Sequence, residues 1–532
     1  MFEGPDRRQK ILTLLTMCFA LFMAMLDNTV VNVALPTIRV DLGASVSDLQ
    51  WIIDGYVLAF ASLLLTGGIL GDRYGRKRMF LSGLVVFTVA SLACGFSATT
   101  GQLIAARALQ GVGAALLMPG TLSIITVTFP AQERAKAIGI WAGVSALALA
   151  LGPTGGGWIV ENFNWQFVFF VNVPIGIVGF FIALRVVKES VSEQTRHLDI
   201  PGLALGTSAL LLTTWALIES NQYGWSDSRI IAALVLAAAL LASFLWWETR
   251  SSHPMMPLSF FRIPAFSAGN HVAFSISLGM FGIFFFMTLY MQEIHGFSPL
   301  EAGVRFLPMT ATIIVAAPLA GRLAGRIGSR LPMTAGLTLA ATGLFLLSFL
   351  KAETSYAVIW PVFLMLGFGM GFTMTPMTAA VMNSVGPQRA GLGSAMTNTS
   401  REIGGVLGIA LLGTILSTQL KSSMSGSLAE IPGLDGRTAD GIAAAAGHLQ
   451  FDPHRLPAQL QASVGQAFSD AFMSGFKLAL LFGAAVLASA AVVAWIFIPH
   501  GAPAREHPGE QPQADGQAGG DQGPESSPVA AH

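Results

Sequence analysis

Apolar stretches of about twenty residues alternate with short charged segments along most of the chain. The first stretch follows Arg7, Arg8 and Lys10 and runs to Pro36, and it contains one acid, Asp27. At about 1.5 Å of rise per residue, such a stretch is long enough to cross a hydrocarbon core of ~30 Å as a helix. The pattern therefore predicts membrane-spanning helices. The first run is too long for the core of a signal peptide, and we expect it to be retained.

Fourteen such spans are predicted, which places both termini on the same side of the membrane. The predicted fold is an all-α integral membrane protein with two six-helix halves and two extra central helices. The spans lie near residues 12–35, 51–70, 79–97, 102–125, 135–160, 167–187, 200–218, 230–247, 266–291, 303–323, 333–350, 356–377, 392–416 and 468–498.

The predicted domains follow from this count. Residues 1–190 form the first half, 191–255 hold the two inserted helices, and 256–498 form the second half. The second half includes a long outer loop at 417–467, rich in Gly, Ala, Ser and Gln. The Pro/Gly/Gln-rich tail, 499–532, is expected to be disordered and cytoplasmic.

Lys and Arg are unevenly distributed between the predicted loops. With the N-terminus inside, about nineteen fall on the inner side and about seven on the outer side. Inner loops of membrane proteins carry such an excess of positive charge. The distribution predicts a multi-pass protein of the plasma or inner membrane, with both termini in the cytoplasm.

The composition excludes several other classes of protein. Of the 532 residues, 53% are hydrophobic and 11% are charged, whereas ordinary globular chains carry about 25% charged residues. The lipid bilayer is therefore a partner. Lys+Arg and Asp+Glu balance at 29 each, which gives no case for a nucleic-acid partner. The nine His are scattered, and Cys18 and Cys94 lack zinc-ligand spacing, so we expect no metal, no cofactor and no enzyme.

Asp27 is the first candidate functional residue. A carboxylate inside a span costs about 2.5–3.5 kcal/mol on insertion scales and usually faces a partner or a water-filled cavity. By the direction of their spans, Asp27, Asp54 and Arg107 all lie in the outer halves of their helices, where facing one cavity would lower their cost. The alternative is that Asp27 only holds two helices together.

Two inner loops share a pattern. Residues 67–77 (GGILGDRYGRK) and 320–330 (AGRLAGRIGSR) match at several positions, including Gly75 with Gly328, although Asp72 has no acidic counterpart. Related halves of this kind are typical of secondary transporters with a binding site near the midplane between them. Chance similarity of Gly-rich loops is the alternative.

Four motifs carry a family resemblance: residues 26–36 (LDNTVVNVALP), 68–77, 107–113 (RALQGVG) and 139–157, which ends in GPTGGG. Over about residues 12–497 the chain resembles the major facilitator superfamily, in its fourteen-span drug:proton antiporter branch. The resemblance implies proton-driven export by alternating access. It also ties Arg107 to proton coupling, which agrees with our hypothesis that Asp27 binds and releases the proton.

The resemblance assigns further roles. Gly68, Asp72, Arg73, Gly75 and Arg76 would latch the two halves on the inner side. Gly71 and Gly75 permit a tight turn, and Asp72 can meet a helix N-terminus or a loop arginine. The alternative is a cluster that only sets topology.

The antiporter motif is the third group of candidates. Its small residues suit a helix that acts as seal and pivot between the halves, although ordinary packing is an alternative. The residues in question are Gly139, Gly152, Pro153, Gly156 and Gly157.

Candidate substrate-binding residues are Asp54, Asn32, Phe285 and Met370. Asp54 could meet a cationic substrate or be a hydrated acid near a helix end. Phe and Met make adaptable walls, but such residues more often face lipid or fill helix contacts.

The predicted function is proton-coupled efflux of hydrophobic, including cationic, small molecules. The alternatives are an importer on the same fold and a dedicated exporter of one natural product, siderophore or lipid. We expect a monomer without a cofactor, driven by the proton gradient. The sequence leaves open whether an outer adaptor protein docks at 417–467.

Overall fold

A computed structural model describes residues 7–129, 131–191, 199–385, 390–429, 431, 435–447 and 458–500. Over these residues every regular element is a helix, as predicted. The α-helices are α1 Arg7–Leu42, α2 Val46–Tyr74, α3 Arg76–Gly95, α4 Thr100–Thr128, α5 Ala131–Asn162, α6 Phe167–Phe170, α7 Asn172–Val186, α8 Ile200–Tyr223, α9 Ser228–Arg250, α10 Pro264–Leu289, α11 Pro299–Arg305, α12 Leu307–Ile327, α13 Arg330–Leu347, α14 Tyr356–Val385, α15 Ala390–Ala429, α16 Gly436–Gly447 and α17 Ala458–Phe497. A 3₁₀ turn spans Leu258–Arg262, and a π-helical turn, Tyr290–Ile294, continues α10.

Twelve helical segments of the described chain are long and apolar enough to cross a membrane. A thirteenth is α2, which bends by 50° along its length. The fifth predicted span falls in α5, which has 32 residues. The fourteen predicted spans are compatible with this architecture, and their exact number stays a prediction.

The helices pack as two groups. In the first, α4 packs against α2 and α3, and α1 packs against α5. In the second, α14 packs against α12 and α13, and α15 packs against α10 and α17. Nearly every side chain of α10 is buried, which places this helix in the middle of the molecule. The boundaries between the predicted domains stay a prediction.

We call the end of the bundle that holds Leu42 and Pro299 the outer end, after the predicted topology. The opposite end, with Arg7 and Arg76, is the inner end. The two groups of helices meet where α5 packs against α11 and α12, where α1 approaches α10 and α11, and where α2 packs against α15.

The inserted helices α8 and α9 pack against each other, and α8 also contacts both groups. Trp51 Nε1 in α2 donates to Glu219 Oε1 in α8 at 3.1 Å. Thr414 Oγ1 in α15 donates to the Leu217 carbonyl at 2.5 Å. The outer end of α8 therefore bridges α2 and α15.

The two copies of the repeated loop have the same backbone turn. Gly75 ends α2 with φ +110°, and Gly328 ends α12 with φ +89°. Glycine reaches this left-handed region without the steric cost that other residues incur. Gly71, in contrast, lies inside α2, so the expectation that it helps to form the turn is wrong.

The predicted outer loop is more helical than its composition suggests. α15 continues to Ala429, α16 is a separate helix of 12 residues, and α17 begins at Ala458. Small residues such as Ala and Ser are compatible with helix outside the membrane, so these helices extend beyond the predicted spans. The predicted tail lies outside the described residues from 501 onward.

Candidate functional site

Asp27 is fully buried in α1 and faces α4 and α7. Its Oδ2 accepts from Arg107 Nη1 at 2.5 Å. Its Oδ1 accepts from Gln110 Nε2 at 2.8 Å and from Asn172 Nδ2 at 2.9 Å. Donors from two neighbouring helices thus satisfy both oxygens of the carboxylate.

Arg107 is also fully buried, and other groups fix its position. Its Nε donates to the Ile52 carbonyl at 3.0 Å, and its Nη1 donates to Gln110 Oε1 at 2.7 Å. The guanidinium lies over the Tyr56 ring, 4.3 Å from the centroid. A buried ion pair offsets its desolvation best when further hydrogen bonds satisfy other donors and acceptors, and here Arg107 Nε and Nη1 both have such partners.

The structure brings together two of the three ionisable groups that the sequence placed at one depth. Asp27 and Arg107 form an ion pair, whereas Asp54 does not join their network. Asp54 is fully buried in α2, and neither of its carboxylate oxygens has a hydrogen-bond partner in the described chain. One turn earlier, Gln50 Nε2 donates to the Ile409 carbonyl of α15 at 3.0 Å. Residues four apart share a helix face, so Asp54 lies on the side of α2 that faces the second half.

Sequence reasoning missed the residues that complete the Asp27 site. Gln110 donates to Asp27 and also to Ser91 Oγ, at 2.7 Å. Its position three residues after Arg107 puts both side chains on one face of α4, which is a usable signal. Asn172 begins α7 far along the chain, and nothing in its local sequence points to Asp27.

Unpartnered polar atoms gather on the helices where the halves face each other. Buried oxygens in α1, α2, α10 and α15 lack hydrogen-bond partners within the described residues. Buried polar groups are normally paired, so such a set is suited to a polar or charged ligand. Its members include Asn28, Asn32, Gln50, Asp54, Ser275, Ser277 and Glu402.

The other substrate candidates lie in different surroundings. Asn32 is buried, and its Nδ2 donates to the Asn28 carbonyl at 3.1 Å. Phe285 in α10 is fully buried, with its ring 4.9 Å from that of Phe286 in an edge-to-face contact. Met370 in α14 is also fully buried. Their roles in substrate binding stay predictions.

The repeated loop holds its acid inside its own turn. Asp72 Oδ1 pairs with Arg76, with Nη2 at 2.8 Å and Nε at 3.0 Å. A loop arginine is therefore the partner of Asp72. Gly68 lies inside α2 against Pro119, and the guanidinium of Arg73 lies 5.4 Å from the Tyr74 ring.

A different acid caps the helix that follows this loop. Glu189 accepts from the backbone N–H of Lys77 at 3.0 Å and of Arg78 at 3.2 Å, at the N-terminus of α3. A carboxylate there complements the positive end of the helix dipole. Glu189, and not Asp72, is thus the acid at the N-terminus of α3.

The glycines of α5 lie at close helix contacts. A Cβ added at Gly152 would collide with Thr29 of α1, and one at Gly156 would collide with Val30. A Cβ at Gly157 would collide with the backbone of Pro299 in α11. Pro153 O makes the reciprocal contact with Gly303, while Gly139 lies nearer the inner end of α5. The motif therefore joins α1 of one half to α11 of the other.

Polar contacts also close the outer end between the halves. Arg39 of α1 pairs with Glu293 of the π-helical turn, with Nη2 and Oε2 at 2.6 Å. Gln292 Nε2 donates to the Val33 carbonyl at 3.0 Å. Glu161 of α5 accepts from Ser298 Oγ at 2.8 Å. These contacts hold the two halves together at the outer end.

These features define a helical membrane transporter with two halves around a polar middle. The chain belongs to the Major Facilitator Superfamily, whose family model matches residues 17–409. It is therefore a transporter and not an enzyme.

Several related proteins of this superfamily are resistance or export proteins for drugs and antibiotics. The chain is 35% identical to the tetracenomycin C resistance and export protein of Streptomyces glaucescens, over 95% of each chain. It is 33% identical to the multidrug resistance protein Stp of Mycobacterium tuberculosis, over 92% of this chain and 93% of Stp. It is 39% identical to the methylenomycin A resistance protein of Streptomyces coelicolor, over 74% of this chain and 83% of that protein. The chain thus groups with drug and antibiotic exporters of this superfamily.

Solved structures agree on the fold. A bacterial homologue of the human lysosomal transporter Spinster, inward-facing and occupied, superposes with a TM-score of 0.62. The two chains are 19% identical, and the match covers 93% of this chain and 97% of the other. This similarity concerns the fold alone.

Proposed function

We propose that the protein exports hydrophobic small molecules, including cations, from the cytoplasm across the cell membrane in exchange for protons. The relatives that resist or export antibiotics support efflux. The buried Asp27 site carries the proposal of proton coupling, because it holds a charged carboxylate entirely inside the helix bundle.

Protonation of Asp27 would change the packing around it. Each oxygen now accepts hydrogen bonds from donors, with Arg107 on Oδ2 and Gln110 and Asn172 on Oδ1. A proton on either oxygen replaces an acceptor by a donor and removes the charge that Arg107 neutralises. Arg107 and its neighbours must then rearrange, which links the proton to the positions of α1, α4 and α7.

The proton gradient supplies the energy. Each elementary charge that moves inward gains about 2.3 kcal/mol per 100 mV of membrane potential, in addition to any pH gradient. We propose that no cofactor takes part and that one chain is the working unit.

Alternating access follows from contacts at the two ends. With the outer end closed by α5 and by the Arg39–Glu293 pair, substrate enters from the inner side. In the opposite state, the 68–77 loop would latch the halves on the inner side. The pairing of Asp72 with Arg76 in its own loop agrees with a released latch.

Asp54 is our candidate for recognising cationic substrates. Its unpartnered buried carboxylate lies on the α2 face toward the second half. We expect Asp54→Asn to lower the transport of cationic dyes about tenfold, the effect of losing ~1.4 kcal/mol, while neutral substrates keep their rates. Equal losses for both classes, measured as KM and maximal rate, would argue for a structural role.

A second candidate function is the export of one natural product. Similarity to the tetracenomycin C resistance and export protein over nearly its whole length favours this alternative. Transport into proteoliposomes with an imposed pH gradient, measured for a panel of hydrophobic cations, neutral drugs and antibiotics, distinguishes the two functions. Uptake of several classes against their gradients supports broad efflux, and uptake of one class supports the dedicated exporter. Transport that ignores the pH gradient would contradict proton exchange.

A further inference from the structure

Two acids that the transport mechanism does not use meet between the inserted helices. Asp199 is the N-cap of α8, and Glu248 lies in the last turn of α9. Asp199 is 8% exposed and Glu248 is 3% exposed. Both lie at the inner end of the molecule.

Each carboxylate has one satisfied oxygen. Asp199 Oδ1 accepts from the Gly202 N–H at 2.9 Å and from Trp247 Nε1 at 2.7 Å. Glu248 Oε2 accepts from the Met256 N–H at 3.0 Å. Asp199 Oδ2 and Glu248 Oε1 are buried and have no hydrogen-bond donor within the described chain.

The two unpartnered oxygens face the same point. A Cβ built on Gly202 would lie 2.6 Å from Asp199 Oδ2 and 2.8 Å from Glu248 Oε1. The side chain that glycine lacks leaves room for the oxygens to approach each other. Gly202 thus permits a close contact between two carboxyl groups.

Among the described residues, the cations nearest to Glu248 in sequence have contacts elsewhere, and Arg196 and His197, which precede Asp199, lie outside the described residues. The Arg250 guanidinium lies 4.9 Å from the Trp246 ring, and the His253 ring contacts Ser252 Oγ at 3.0 Å. α2 and α15 bond to α8 near Leu217, eighteen residues after Asp199, or ~27 Å along the helix. Within the described residues, the hydrogen bonds of the two acids come from α8, from α9 and from Met256, and none comes from α2 or α15.

We propose that Asp199 and Glu248 share one proton, held between Asp199 Oδ2 and Glu248 Oε1. Two carboxylates that share a buried site do not both ionise, because the like charges repel and burial penalises each charge. One proton from the inner aqueous phase gives an O–H···O bond and leaves a single negative charge. The N–H groups of Gly202, Trp247 and Met256 then stabilise that charge.

The shared proton ties the start of α8 to the end of α9. Because α8 also bridges α2 and α15, this site lies on an element that contacts both halves. Loss of the proton at high inner pH leaves two facing charges and loosens the α8–α9 contact. The inserted helices α8 and α9 are thus a proton-dependent part of the transporter, separate from Asp27.

Infrared spectroscopy of the full chain in lipid, during a pH titration, tests the proposal. We expect wild type at neutral pH to show a C=O band of a protonated carboxyl group. Glu248→Gln and Asp199→Asn should each abolish it, because the pair holds one proton. Both variants should fold, since the new amide can donate the same hydrogen bond.

The control is Asp227→Asn in the same helix hairpin. Hydrogen bonds from Arg229 lower the pKa of Asp227, so this acid stays ionised and its variant should keep the band. All variants are compared in an Asp27→Asn/Asp54→Asn/Glu402→Gln background, which removes the proposed transport proton and the other buried acids with unpartnered oxygens. A wild-type protein without the band, or a band that survives both amide variants, overturns the proposal.

Discussion

At the scale of single residues, the central feature is a charge buried with its partners. Asp27 and Arg107 could be found from the sequence because charged side chains are rare and costly in apolar spans. Gln110 and Asn172 could not be found with the same ease, since uncharged polar residues are common in helices. The direct donors to Oδ1 became visible only when α4 and α7 were packed against α1.

The ion pair itself can be tested by stability. We expect Arg107→Met to lower the unfolding free energy by about 3–5 kcal/mol, because it leaves the buried Asp27 carboxyl without its cation. The double variant Asp27→Asn/Arg107→Met should recover at least half of this loss, since neither member of the ion pair is then left without its partner. Thermal unfolding of the purified protein measures both. A double variant that is less stable than Arg107→Met would contradict a coupled pair.

At the scale of elements, glycine spacing predicted helix contacts well, whereas hydropathy predicted the ends of helices less well. The small residues of the motif in α5 indicated close helix packing, and Gly152, Gly156 and Gly157 do lie against α1 and α11, while the role of seal and pivot stays a prediction. The helices α15 and α17 extend well past the predicted spans, because hydropathy reports the membrane-buried part of a helix and not its full length. The turn at Gly75 was predictable, whereas the capping of α3 by Glu189 was not, because that acid is 112 residues from Lys77.

The seal offers a matched pair of substitutions. Gly157→Ala places a methyl group against the backbone of Pro299 and Leu300, whereas Gly155 has no neighbour within 4 Å of an added Cβ. Overpacking costs about 1–3 kcal/mol, so we expect Gly157→Ala to lower the transport rate at least about tenfold. Gly155→Ala should stay close to wild type in the same vesicle assay. Equal effects of both would mean that α5 does not act through this contact.

At the scale of the whole molecule, polar contacts join the two halves at the outer end. The sequence predicted two halves and their topology, but it could not predict which end is closed, because alternate states share one sequence. The long-range contacts of Arg39 with Glu293 and of α8 with both halves supply that information.

The outer closure predicts a shift between states. We expect Arg39→Ala or Glu293→Ala to favour outer opening about tenfold, if the pair contributes ~1.4 kcal/mol. Spin labels at Val40→Cys and Val304→Cys, on α1 and α11, should then report longer distances. The exchanged pair Arg39→Glu/Glu293→Arg should restore closure.

Arg229→Ala removes an ion pair within the inserted hairpin and serves as the control. Unchanged distances in the single variants would remove this pair from the gate.

Proton exchange at Asp27 is tested most directly by comparing wild type and Asp27→Asn in the same proteoliposomes. The substituted amide keeps an acceptor oxygen for its neighbours but cannot titrate, and Arg107 keeps its bonds to Ile52 and Gln110. We predict that the variant retains substrate exchange without a gradient and loses accumulation driven by a pH gradient. Full gradient-driven accumulation by Asp27→Asn would contradict the account.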